Sequence, residues 1–220
     1  MNIIIIIIII AIALFFISFW IIKKIIKAIF LATAVLAIVL VVTGYFVVQD
    51  VNDLQENFQT SPKLILLVDN NTLLTGFSSD ASAEPIKSSE IEAIRQAVQQ
   101  ENFKAIPQEY YKTVVYSKES LESLNDIKIK IADRELTKEQ AMRVVLDVQF
   151  ATAMSKELFI NNAEELRVFV FSTIINDYFT GEQGNNFING LQQGTIMIYP
   201  ETITFKLIKV IPSGLISNLP

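Results

Sequence analysis

The chain reads as an α+β domain preceded by an N-terminal transmembrane helical hairpin, on three observations. Two almost unbroken apolar runs, residues 3–22 and 28–48, flank the basic segment Lys23-Lys24-Ile25-Ile26-Lys27. All 23 acidic residues lie at Asp50 or later. The chain beyond Asp50 mixes two-residue and helical apolar spacings rather than alternating strand and helix regularly.

Each apolar run matches a bilayer. A helix rises about 1.5 Å per residue, so some twenty apolar residues span a hydrocarbon core of about 30 Å. The eight isoleucines of residues 3–10 form the one low-complexity tract. Lysines near spans favour the cytoplasmic side, so Lys23, Lys24 and Lys27 are the expected topology determinants, holding a loop at 23–27 inside and both ends of the hairpin outside. A second reading takes the same lysines as the basic start of a signal sequence whose apolar part begins at Ala28. No small-x-small cleavage pattern stands near Thr43-Gly44-Tyr45, which favours an uncleaved signal anchor. Both readings put the acidic domain outside the cytoplasm. Trp20 and Tyr45 sit near the expected interfaces, and Ala28 with Ala32, and Thr33 with Ala37, are small-residue pairs at helix–helix spacing.

Val47, Val51, Leu54 and Phe58 carry the helical spacing past the membrane, predicting a juxtamembrane stalk over residues 49–61 that ends before Thr60-Ser61-Pro62. Residues 62–220 are the expected soluble domain. It opens with a hairpin: strand 63–68, the turn Asp69-Asn70-Asn71, strand 72–77. Residues 78–87 read as a loop, and Ser89 with Glu92 as a capping box for a helix to about Gln100. Residues 110–116, aromatic and β-branched, predict a strand with a short helix after it over 118–124. Ile127, Ile129 and Ile131 alternate with Lys128 and Lys130 as a half-buried strand. Thr137 and Gln140 form another capping box, for a helix with Glu139, Arg143 and Asp147 on its polar side and Val144, Val145, Val148, Ala151 and Met154 on its core side.

Asn161-Asn162 turns the chain into a helix over 163–179, although Val168-Phe169-Val170-Phe171 also fits a buried strand. The uncharged stretches 148–155 and 168–176 are less than half the length of a span and read as core. Gly181, Gly184, Gly190 and Gly194 read as turns around a short segment, 185–192. Residues 195–199 are strand-like. Pro200-Glu201 suits the first turn of a helix carrying Ile203, Leu207, Val210 and Ile211, although Ile203, Phe205 and Leu207 also fit a strand, and the segment is expected to pack on its own domain rather than lie on lipid.

Composition restricts the chemistry. The chain has no cysteine and no histidine, which removes disulfides, thiolate chemistry, the usual zinc sites and any nucleophile served by a histidine base. Setting aside the three membrane lysines turns the net charge of −5 into −8 for residues 49–220, a poor match to nucleic-acid phosphates. Gly76-Phe77-Ser78-Ser79-Asp80 lacks the closing glycine of a nucleophile elbow. The glycines are not spaced as a phosphate loop. Asp69-x-Asn71 starts like a calcium loop but has Leu74 where glycine and Asp80 where glutamate are needed. The local carboxylate pairs Glu119/Glu122, Asp133/Glu135 and Glu164/Glu165 fall at helix starts or turns, where acids serve the helix dipole or solvent. Asn70-Asn71-Thr72 is an N-glycosylation acceptor sequence with Asn70 on a turn, and Tyr110, Tyr111 and Tyr116 cluster on one predicted strand.

The expected role is therefore a non-enzymatic, membrane-anchored interaction or structural module facing outside the cytoplasm, with no cofactor. Its expected partners are the bilayer and other membrane or envelope proteins, not nucleic acid. The alternatives are a tethered hydrolase using carboxylates from separate segments and an accessory subunit of a transport assembly.

Overall fold

The structure, a computed structural model, describes residues 3–57, 60–79, 82–106, 109–122, 124, 128–131, 133–180 and 184–211. The chain divides into two compact units, Met1–Gln49 and Asp50–Pro220.

The first unit belongs to helix α1, Ile3–Asn57. Its segment Ile22–Leu54 is 33 residues long and contains an 18-residue stretch with a mean hydropathy of 2.9 that is not buried, long and apolar enough to cross a membrane. Phe30, Leu31, Val39 and Val41 stand more than half exposed around the helix, where a helix of a water-soluble fold would be polar. One expectation needs correcting: residues 23–27 are helical, and α1 passes through them without the turn of a hairpin. The local chemistry explains this. Lysine is a good helix former, no glycine precedes Gly44 and no proline precedes Pro62, so nothing there ends a helix.

In the second unit the last two turns of α1 do not stand free as a stalk. Leu54 packs on the main core, Asp50 accepts hydrogen bonds from the N–H (3.0 Å) and hydroxyl (3.2 Å) of Thr204, and Tyr111 donates its phenol proton to Asp53. α1 ends at Asn57, ahead of Pro62 as expected, while Phe58 lies outside the described residues.

A five-stranded mixed sheet follows, built from β1 (Lys63–Asp69), β2 (Thr72–Ser79), β3 (Ala83–Pro85), β4 (Lys112–Ser117) and β7 (Ile196–Tyr199) in the order β3-β2-β1-β4-β7. β1 pairs antiparallel with β2 and parallel with β4. The hairpin turn forms as predicted, with Asn70 and Asn71 at φ 46° and 62°, a left-handed region that asparagine tolerates. β3 replaces part of the loop expected at 78–87: Phe77 to Ser79 carry the ladder on, and Ala83 to Pro85 pair with them as a short edge. β5 (Ile129–Ile131) and β6 (Arg134–Leu136) make a separate two-stranded ribbon, with Ile129 and Ile131 buried and Lys130 exposed as the alternation required. Ile127 lies outside the described residues.

The sheet is buried on both faces, so α+β holds in a layered form. Ile65, Leu67, Val114, Tyr116, Ile196 and Ile198 face the larger core; Leu64, Leu66, Val68 and Val115 face the smaller one. Helix α2 (Ile91–Gln99) and the 3₁₀ turn Phe103–Ala105 cover the smaller side. The larger core takes in α3 (Lys118–Glu122), α4 (Lys138–Leu146), α5 (Val148–Glu157), α6 (Ala163–Thr180), α7 (Gly184–Gln193) and α8 (Ile203–Val210).

Local chemistry sets the helix ends, and here several expectations shift. The Ser89–Glu92 capping box does not form: Glu90 takes the N-cap position and spends its carboxylate on the Tyr110 phenol and Lys87, while Glu92 pairs with Arg95. The Thr137–Gln140 box does form, with Gln140 Oε1 accepting from the Thr137 N–H at 3.0 Å and Thr137 Oγ1 from the Gln140 N–H at 3.4 Å. Thr137→Ala is expected to cost about 1 kcal/mol of domain stability, read as a lowered unfolding midpoint. The helix expected to continue past it breaks at Asp147, whose carboxylate caps α5 through the N–H groups of Gln149 and Phe150, leaving Val148 exposed rather than in the core. Residues 168–171 are helical within α6. The short segment 185–192 is helical, and α7 takes in Gly184 and Gly190, both expected as turns, with Gly190 close against Ile196. Pro200 precedes α8 instead of opening it, and Thr202 holds the N-cap position.

Candidate functional site

A cleft of about 780 Å³ opens in the second unit between the 3₁₀ turn, the start of β4, the chain after β7, and α8. Phe103, Lys104 and Ile106 come from the turn region, Tyr110, Tyr111 and Thr113 from β4 and its approach, and Tyr199, Pro200, Glu201 and Lys206 from the C-terminal side. These elements meet because β4 lies between β1 and the edge strand β7, and its pairing with β7 brings Thr113 opposite Tyr199. Phe103 and Tyr199 stack at 4.7 Å and 19°, forming an aromatic wall.

The polar groups around the cleft are largely committed. Tyr110 donates to Glu90 and Tyr111 to Asp53. Burial, then the hydrogen-bonded carboxylate in each case, pushes both phenols above the usual tyrosine value, so they remain donors near neutral pH and cannot act as bases. Beneath Tyr111, the nearly fully buried Lys112 lies 4.9 Å from the ring centroid and donates to the Pro200 carbonyl at 3.4 Å. Burial lowers its pKa, with the charges of Asp53 and Asp50 opposing. Glu201 is ion-paired with Lys209. Lys104 and Lys206 are exposed at the cleft, and among the described residues neither side chain has a hydrogen-bond or ion-pair partner.

The raised phenols have a pH consequence. A group whose folded pKa lies above its unfolded value stabilises the fold fully below the unfolded pKa, about 10 for tyrosine, and loses that contribution as pH rises through the folded value. Urea midpoints measured from about pH 8 to about pH 11 should therefore fall at the alkaline end, and less steeply in Tyr110→Phe and Tyr111→Phe.

The residues singled out from the sequence are mostly dispersed. Lys23, Lys24 and Lys27 lie exposed on α1, with the Lys24 ammonium 3.4 Å over the Trp20 ring. Asn70 is exposed on its turn and donates to Asp69. Tyr110 and Tyr111 reach the cleft, whereas Tyr116 is buried edge-on against Phe171 in the opposite core. Within the carboxylate pairs, Glu122 bonds to Lys118, Glu135 to Lys128, Glu165 accepts from the Asn162 amide, and Glu164 binds Arg167 and Thr75. Among the described residues no group of three or more carboxylates stands ready to hold a metal.

Lys104, Glu201 and Lys206 went unnoticed as site residues in the sequence, and no spacing marks them, because three separate segments supply them. No family model matches this chain, and neither a curated protein nor a solved structure matches it.

Proposed function

We propose that the chain is a membrane-anchored, non-enzymatic module whose acidic domain faces outside the cytoplasm and contacts other membrane or envelope components. The supporting observation is the exposed apolar segment Ile22–Leu54, which runs directly into the first residues of the domain. Laid straight, residues 3–48 would reach about 69 Å, more than twice a hydrocarbon core of about 30 Å. Of that length the apolar run 28–48, about 32 Å as a helix, suffices for a single crossing with Lys23, Lys24 and Lys27 at one end. Lys23, Lys24 and Lys27 then stay cytoplasmic, and the domain emerges on the far side.

The absence of native cysteine makes the test clean. Single substitutions Lys24→Cys and Ser82→Cys are treated with a membrane-impermeant maleimide on intact cells. Ser82→Cys should label at once, and Lys24→Cys only after permeabilisation. Labelling of Ser82→Cys only after permeabilisation overturns the orientation. An impermeant crosslinker on the same cells should trap the domain with a membrane or envelope neighbour; recovery of uncrosslinked chain alone removes the interaction role.

A further inference from the structure

We infer that the cleft between the 3₁₀ turn, β4 and α8 binds a small soluble anion with an aromatic or apolar body, such as an aryl phosphate or carboxylate. The inference stands on the cleft alone and holds on whichever side of the membrane the domain lies.

Three features point there. The volume of about 780 Å³ falls within the range of small-ligand clefts, about 300–1,000 Å³. Its walls are aromatic and apolar, with the stacked Phe103–Tyr199 pair offering ring faces that would release water when covered. Its cations are unspent. The domain carries a net charge of −8, and most of its bases are tied up: Lys87, Arg95, Lys118, Lys128, Arg134, Arg167 and Lys209 in ion pairs, Lys112 and Lys138 on backbone carbonyls. Lys104 and Lys206, from two different elements, instead reach the same cleft without partners among the described residues. The acid in the lining, Glu201, is already paired with Lys209, so its charge does not cancel theirs. An apolar body with one anionic group satisfies walls and rim together. A flat bilayer would meet the lysines but leave the concave aromatic wall unfilled, which favours a molecule that enters.

The test uses the full chain in neutral detergent and titration calorimetry with 1-naphthyl phosphate, with inorganic phosphate and 1-naphthol as the two halves. Naphthyl phosphate should bind saturably at one site, at least about tenfold tighter than either half. Lys104→Ala and Lys206→Ala should each weaken it by about tenfold, as expected for loss of one charge-assisted contact. Both lysines are exposed, so the variants should keep the wild-type unfolding midpoint. Lys156→Ala, an exposed lysine of α5 outside the lining, should change nothing. The inference is overturned by the absence of saturable binding, by unchanged affinity in the double lysine variant, by phosphate alone binding as tightly, or by binding only to phosphatidylglycerol vesicles.

Discussion

Replacing Arg167 with methionine should destabilise the domain by about 3 kcal/mol, the largest single effect expected outside the apolar core. Arg167 is 5 % exposed and serves backbone groups that the fold leaves open. The β1–β2 register slips between Leu67 and Val68, which face Thr75 and Leu73, so Leu74 is a bulge residue left out of the ladder. Arg167 Nη2 donates to the freed Leu74 carbonyl. Val145 lies in the last turn of α4, where carbonyls lack helical partners, and takes Arg167 Nε at 3.2 Å and Nη2 at 3.0 Å. Nη1 reaches Glu164 at 2.9 Å, and Glu164 also accepts from Thr75 at 3.0 Å. Methionine fills the stem's volume but strands two buried carbonyls. Lysine should rescue little, because an ammonium on a single stem cannot imitate the guanidinium fork. Glu164→Gln should cost no more than about 1 kcal/mol, since that carboxylate is 46 % exposed and screened. Thermal or urea unfolding of the full chain in neutral detergent separates the three variants; a similar loss in Glu164→Gln and Arg167→Met would show that the ion pair, not the carbonyls, matters.

Gly76→Ala should cost about 1–3 kcal/mol by overpacking the sheet. A Cβ there would lie 2.9 Å from the Ile65 carbonyl oxygen, 2.8 Å from Leu66 Cδ2 and 2.9 Å from Ile86 Cδ1. The side chains can rotate away, but the carbonyl belongs to the central strand and cannot. Valine at the same position should be worse, whereas alanine at Gly44, where nothing lies within 4 Å, should be neutral or slightly favourable to the helix. Comparing the unfolding midpoints of Gly76→Ala and Gly44→Ala checks both; equal midpoints would mean that the sheet relaxes around the new methyl.

Much of the local structure was legible. The Asn70-Asn71 turn, the alternation of Ile129 to Ile131, the Thr137–Gln140 box and the helix after Asn162 each rest on chemistry confined to a few neighbouring residues. Misreadings arose where a distant group competed for a local one. Glu90 was drawn to Tyr110 and Lys87, which displaced the box expected from Ser89. Asp147 fitted a polar stripe, yet its carboxylate had two amides to cap, so one expected helix became two. Gly184 and Gly190 looked like turn residues, but Gly190 is small because Ile196 packs against it. The cleft was legible only through Tyr110 and Tyr111.

By itself the sequence determined an apolar N-terminal segment long enough to cross a membrane, the separation of its lysines from every acid, the exclusion of cysteine and histidine chemistry, and the α+β character, because length, charge and periodicity are properties of contiguous chain. Tertiary structure decided that the sheet is covered on both faces, that Arg167 closes the bulge at Leu74, and that Lys104 and Lys206 share one cleft with Tyr111 and Tyr199. Those facts depend on strand order and register, and hydrogen bonds between segments a hundred residues apart leave no periodic trace along the chain.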